Sequence, residues 1–168
     1  YPVAVAGPRL RLREFEPEDV TALHRVYGDV EATRFLSFEP RSVDAVELLV
    51  KRIIADAQVE PRHEYAMAVV APDGDMIGMA RLATGEFRSG QVGFALRPDT
   101  WRLGYGAEAA GLLLELGFGR LGLHRIWGAR SPVNIASARV MASIGMVEEG
   151  RLRHHVFVRG SWRDSVVH

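Results

Sequence analysis

The sequence predicts a single α/β (α+β) domain, and three observations lead there. The hydrophobic period switches repeatedly between the helical and the extended repeat. Two apolar runs are separated by Pro72-Asp73-Gly74-Asp75, a turn signal that makes at least one strand pair antiparallel. The 168 residues are 48% hydrophobic and 25% charged, with no repeat, low-complexity tract or linker-like shift, so residues 1–168 read as one unit around one core.

Arg9 to Arg13 alternates arginine and leucine, placing Leu10 and Leu12 on one face of a half-buried strand. Pro17, Glu18 and Asp19 mark a helix start, and Val20, Leu23, Val26 and Tyr27 follow at helical spacing. A second helix begins near Ser42, with Val43, Val46, Leu49, Val50, Ile53, Ile54 and Ala57 along one side. Tyr65 to Ala71 and Met76 to Ala83 are the hairpin strands, and Gln91 to Leu96 is the next strand, closed by Pro98. Gly104 to about Arg120 reads as a helix apolar on nearly every side, hence buried against a sheet. His124 to Ser131 is a strand, and Asn134 to Ile144 a helix stopped by Gly145. Val147 to Val156 and Trp162 to Val167 form a last pair turning at Gly160.

Twenty-one basic and twenty-one acidic residues cancel, so no global field favours nucleic acid or an anionic membrane, and anion binding must be local. The longest nearly uncharged apolar stretch, Ala109 to Phe118, is far shorter than a bilayer span. The absence of cysteine removes disulfides, thiolate metal sites and thiol nucleophiles, and without a His-Glu-x-x-His cluster no metal is expected. The opening lacks a secretory pattern, which makes a cytoplasmic location the expectation; the chain starts at Tyr1, so targeting residues upstream are left open.

The strongest local signal is Val92 to Ala109, where a strand meets a short connection and then Gly104 and Gly106 at the mouth of a helix. Helix N-termini present unpaired N–H groups and a partial positive charge, so phosphate is the natural occupant. The two glycines flank Tyr105 and let a bulky diphosphate approach the backbone, and Arg102 adds a full charge. A plain loop is the bland alternative. Gly104, Gly106 and Ala109 also satisfy a relaxed dinucleotide pattern, but residues 97–103 separate them from the strand and too little chain follows for a doubly wound sheet. No Gly-Lys-Ser or Gly-Lys-Thr occurs, which excludes a nucleotide-triphosphatase loop.

Leu96-Arg97-Pro98 with Trp101-Arg102-Leu103-Gly104-Tyr105-Gly106-Ala107-Glu108-Ala109 resembles the acetyl-coenzyme A loop of the GNAT superfamily of N-acetyltransferases. Pro132-Val133-Asn134-Ile135-Ala136-Ser137, continuing to Gly145-Met146, is similar to its Asn-x-x-Ser helix. Gly160-Ser161-Trp162-Arg163-Asp164 and the opening RLRLREFEPEDV resemble the RimJ and RimL branch. The resemblance implies a GNAT-like mixed, mostly antiparallel sheet of about seven strands flanked by helices and splayed at the cofactor cleft. It implies acetyl-coenzyme A as donor, a primary amine (a peptide N-terminus or a small amine) as acceptor, and a homodimer by analogy alone. The pyrophosphate would lie on the amides of residues 102–107, Arg102, Leu103, Gly104, Tyr105, Gly106 and Ala107, and the rest of the cofactor against Phe94, Ala95, Leu96, Asn134 and Ser137.

Trp101 stands where much of the superfamily has Gln or Arg, and Met141 where many relatives carry a proton-donating tyrosine; a thioether has no proton to give. Ser137, one turn from Asn134 on the same helix face, is the substitute acid, with local backbone bonding as its alternative; Asn134 itself also suits an N-cap. Base candidates are Glu14, His24, Glu39, Asp99, His154 and His155, of which the two adjacent histidines should face opposite ways on a regular strand. Glu14, Glu39, Glu86 and Asp99 could line an acidic recess for a cationic amine or simply be solvated. Without cysteine, transfer should be direct in a ternary complex, with a backbone N–H near Phe94 to Leu96 stabilising the oxyanion. A non-catalytic coenzyme A binder is the alternative of another class, for which Met141 speaks.

Overall fold

In the computed structural model, which describes residues 2–168, eight strands form one sheet. In chain order they are β1 (Ala4–Ala6), β2 (Arg11–Arg13), β3 (Glu64–Val70), β4 (Met76–Gly85), β5 (Ser89–Leu96), β6 (Arg125–Arg130), β7 (Gly150–Val158) and β8 (Ser161–Val167). Across the sheet the order is β1-β2-β3-β4-β5-β6-β8-β7, and every pair is antiparallel except β5–β6. The strand count exceeds the expected one because Ala4–Ala6 pairs with β2, a run of small residues too short to show a period.

The helices are α1 (Val20–Tyr27), α2 (Val30–Thr33), α3 (Val43–Asp56), α4 (Tyr105–Leu114) and α5 (Ile135–Ser143). The acidic first turn and Ser42, whose hydroxyl accepts from Ala45 N, explain where α3 begins. Leu23, Val26, Val46, Val50 and Ile53 bury one face of α1 and α3 against Ala66, Ala68, Met79 and Ala95. On the opposite face Ala109, Leu112, Leu113 and Leu116 cover Met67, Val69, Ile77, Leu82 and Val92. Beyond Leu114 the expected helix widens into a π-type segment, Glu115–Arg120, in which Leu121 N reaches back to Leu116 O at 3.0 Å.

The β3–β4 turn closes through Gly74 at φ +90°, and the β7–β8 loop is the two residues Arg159 and Gly160, both at positive φ (52° and 73°), the signature of a tight primed hairpin turn. Strand β7 departs from the expected alternation. Its register shifts between Leu152 and Val156, and His154 adopts φ +47°. Asp164 holds this bulge by accepting from His154 N (2.9 Å) and Arg151 Nε (2.7 Å), so the face of each adjacent histidine does not follow from counting by twos.

The parallel contact between β5 and β6 spans only Ser89↔Arg125 to Val92↔Gly128. Beyond it β5 stays with β4, whereas β6 pairs with β8 through Ala129↔Val167 and Arg130↔Val166. The sheet forks there, as the splayed sheet of the sequence reading requires.

Candidate functional site

The fork and the start of α4 lie side by side. Gly104 caps α4 at φ +80°, and Arg102 is also left-handed at +64°, a conformation that strains any residue with a Cβ. Glu108 N bonds Gly104 O at 3.1 Å, which leaves the amides of Tyr105, Gly106 and Ala107 at the helix mouth without intrahelical acceptors. Arg102 is exposed beside them. Trp101 donates its indole N–H to Leu96 O at 2.9 Å, so it ties the loop to the end of β5.

A strap holds this loop that no spacing in the sequence announces. Arg9 bonds Leu103 O through Nη1 (2.8 Å) and Glu108 through Nε (2.8 Å), with its guanidinium 4.8 Å from the centre of the Tyr105 ring. Glu108 also accepts from the backbone N of Arg9 (2.7 Å) and of Leu10 (2.8 Å). Burial pushes the Glu108 carboxyl up, but hydrogen bonds from Leu10 N, Arg9 N and the Arg9 side chain outweigh it and hold it below the usual carboxylate range. A depressed folded-state pKa stabilises above the unfolded value near 4.3 and is lost as pH falls through the folded one. Acid titration of Glu108→Gln should therefore lack a destabilisation that the parent shows below about pH 4.3, read as melting temperature against pH.

Into the fork β5 projects two backbone edges. Arg97 N bonds Ile77 O at 2.8 Å, so residues 93 and 95 also turn toward β4, and Phe94 and Leu96 turn toward the gap left by β6. Ala95, expected among the ligand contacts, is instead directed to β4 and buried in the α1–α3 core at 8% exposure. Gly106 is likewise recast in part: its missing Cβ points at Val140 Cγ2 (3.4 Å) and Phe94 Cε2 (3.7 Å), so its smallness serves α4–α5 packing.

Across the gap α5 begins at Asn134, whose Oδ1 accepts from Ser137 N at 3.0 Å. This is the N-cap role, and it leaves the side-chain amide nitrogen free. The Ser137 hydroxyl is half-buried and has no hydrogen-bond partner among the described residues. One turn on, Met141 is 3% exposed, and a Cβ on Gly128 would lie 3.1 Å from its methyl, so it plugs the core at the fork. Arg130 fixes the approach to α5 by donating to Ser131 O (3.2 Å) and Pro132 O (3.1 Å).

The proposed bases separate sharply. Glu14 is buried against Arg62 (2.6 and 3.0 Å), which makes it structural. Asp99 is bound at 2.6 Å to Arg97, and that guanidinium holds its carboxyl below the usual range. Glu86 sits at the β4–β5 turn, the far end of the sheet from Leu96, and Glu39 is exposed on the loop after α2. The acidic recess does not assemble, because each carboxylate is committed to a different element. His24 lies on α1 against Gly28. His155 meets Ser165 Oγ through Nδ1 at 3.0 Å, leaving Nε2 available on the strand pair that borders the fork, whereas His154 is held at the bulge.

Comparison with known proteins accords with this geometry. A family model described as an acetyltransferase (GNAT) domain matches residues 9–147. An uncharacterized N-acetyltransferase of Bacillus subtilis, YnaD, is 32% identical over 167 residues, 95% of this chain and 92% of its own. Among solved structures, Mycobacterium smegmatis RimJ in complex with CoA-disulfide superposes with a TM-score of 0.85 at 23% identity over 99% of this chain and 86% of that one. Vibrio cholerae spermidine N-acetyltransferase in complex with CoA and spermine gives 0.83 at 23%, covering 96% and 94%.

Proposed function

The chain belongs to the GNAT acetyltransferase family, and on that premise we propose that it transfers an acetyl group from acetyl-coenzyme A to a primary amine within a ternary complex. The observation that carries this is the fork: a sheet unzipped beyond Val92↔Gly128, beside a helix mouth opened by a left-handed glycine. A diphosphate fits that mouth because three first-turn amides and the Arg102 charge converge there. An extended arm bearing amides fits the gap because Phe94 offers an unpaired backbone edge, Leu96 an unpaired N–H and Asn134 a free amide nitrogen.

Bound acetyl-coenzyme A supplies an acyl group activated as a thioester. Phe94 N–H is the donor placed to stabilise charge developing on the acyl oxygen. Ser137 Oγ–H supplies a proton to the leaving sulfur, and His155 Nε2 receives one from the amine, directly or through water. Holding the reactants in line contributes most, up to about 7–11 kcal/mol. Ser137→Ala should accordingly lower kcat on the order of 10²-fold without abolishing turnover, with the Michaelis constant for the coenzyme little changed.

The test is release of free thiol from acetyl-coenzyme A with a panel of amines that includes N-terminal peptides. Turnover with intersecting lines in two-substrate kinetics is expected. Thermal stabilisation by the coenzyme with no thiol release from any amine would favour the binder that buried Met141 suggests, and parallel lines would refute the ternary complex.

A further inference from the structure

Ile126 and Gly128 face α4 and α5, where Gly117 and Met141 meet them, so Trp127 and Ala129 face the other side of β6. Through Ala129↔Val167 the same side of β8 carries Ser165 and Arg163, and on β5 it carries Gly93 and Ala95. The fork is therefore approached, opposite α4, over a floor of these strands and beneath the loop after α2.

The cations here are unusual for this molecule. Arg13, Arg62, Arg81 and Arg97 each hold a carboxylate. Arg163 and Arg159 make no ion pair among the described residues. Arg163 Nη1 is anchored on Phe35 O (2.7 Å) and Leu36 O (3.3 Å), and Arg159 Nη2 on Thr33 O (2.8 Å). At Arg81 the Nε–Nη2 edge takes Glu64 side-on; at Arg163 the same edge is empty, with Nε buried and unpartnered. Among the acids nearby, Glu39 follows Phe38, whose carbonyl accepts from Arg159 Nη2 (3.3 Å), yet it is exposed and forms no ion pair with Arg159 or Arg163. Glu31 lies 3.8 Å from Arg34, Asp29 caps α2, and Asp164 is held by Arg151 on the other face of β8.

We infer that the acceptor amine carries a carboxylate close by, and that Arg163 Nη2, the guanidinium nitrogen that is neither hydrogen-bonded nor enclosed, receives it, supported by the charge of Arg159. This rests on the acyl-transfer reading and names its substrate class. A guanidinium N–H and a carboxylate form a charge-assisted hydrogen bond, and a half-buried cation without a counter-charge is costly until one arrives. Burial first, then the Arg159 charge, disfavours the ionised form of Arg163, a penalty the ligand would relieve. A polyamine meets two fixed positive charges instead.

The test compares matched acceptors: peptides beginning Ser-Asp against Ser-Asn, β-alanine against its amide, and spermidine. A charged hydrogen-bonded pair predicts kcat/KM about 10- to 100-fold higher for the acid of each matched pair. That ratio should collapse toward one in Arg163→Gln and partly recover in Arg163→Lys. The peptide and β-alanine arms decide whether the carboxylate belongs to a polypeptide or a small amino acid. In parallel, calorimetry on the unaltered protein compares the N-acetylated acid with its amide. Differential binding without turnover would count against acyl transfer and leave the carboxylate site standing. Equal binding, or spermidine as the best acceptor, overturns it.

Discussion

Replacing Gly104 with valine is expected to weaken coenzyme A binding by about 10- to 100-fold, since a residue forced into a left-handed conformation costs about 1–3 kcal/mol. Gly104 sits at φ +80°, and an added Cβ would lie 3.2 Å from Arg9 Nη2. The substitution therefore strains the backbone and crowds the side chain that straps the loop. Gly111→Ala is the control, because nothing lies within 4 Å of a Cβ there; a helical glycine replaced by alanine should raise stability by about 0.5–1 kcal/mol and leave affinity unchanged. Isothermal calorimetry reads both, and an unaltered affinity in Gly104→Val would remove the helix mouth from the binding site.

The second large effect concerns stability. Arg62→Ala should lower it by about 3–5 kcal/mol, the range for breaking a buried ion pair. The side chains of Arg62 and Glu14 are only 6% and 9% exposed, and Glu14 Oε1 also accepts from Val3 N at 3.0 Å. Alanine would strand a carboxylate where water cannot reach it. At about 2–4 °C per kcal/mol for a chain of this size, the melting temperature should fall by about 10 °C. Pairing Arg62→Met with Glu14→Leu should recover much of the loss. A drop below 2 °C in the single variant would show the pair to be solvated after all.

What the sequence discloses is local. The Pro72–Asp75 turn, the cap of α5 at Asn134 and the stripe on α3 are written in neighbouring residues, and each stands where period and turn chemistry put it. Ala4–Ala6 is silent because three small residues become a strand only through pairing with β2. The bulge at His154 is silent because it is imposed from Asp164 across the hairpin. In the site, Gly104 and Ser137 are named by their motifs, and Asp99 has its partner Arg97 two residues away, whereas nothing near Glu14 says that the distant Arg62 neutralises it. Arg163 is legible as a residue type, but its empty edge is a property of what fails to surround it.

The strap between Arg9 and Glu108 joins positions nearly a hundred residues apart. A peptide cut from residues 97–114 would own both glycines, the arginine and the helix start, yet lack the clamp that gives the loop its shape. Such closure comes late for a folding chain, because long loops must be brought together before their contacts reward them. Affinity for the coenzyme is in that sense a gauge of whether the first strands have come home.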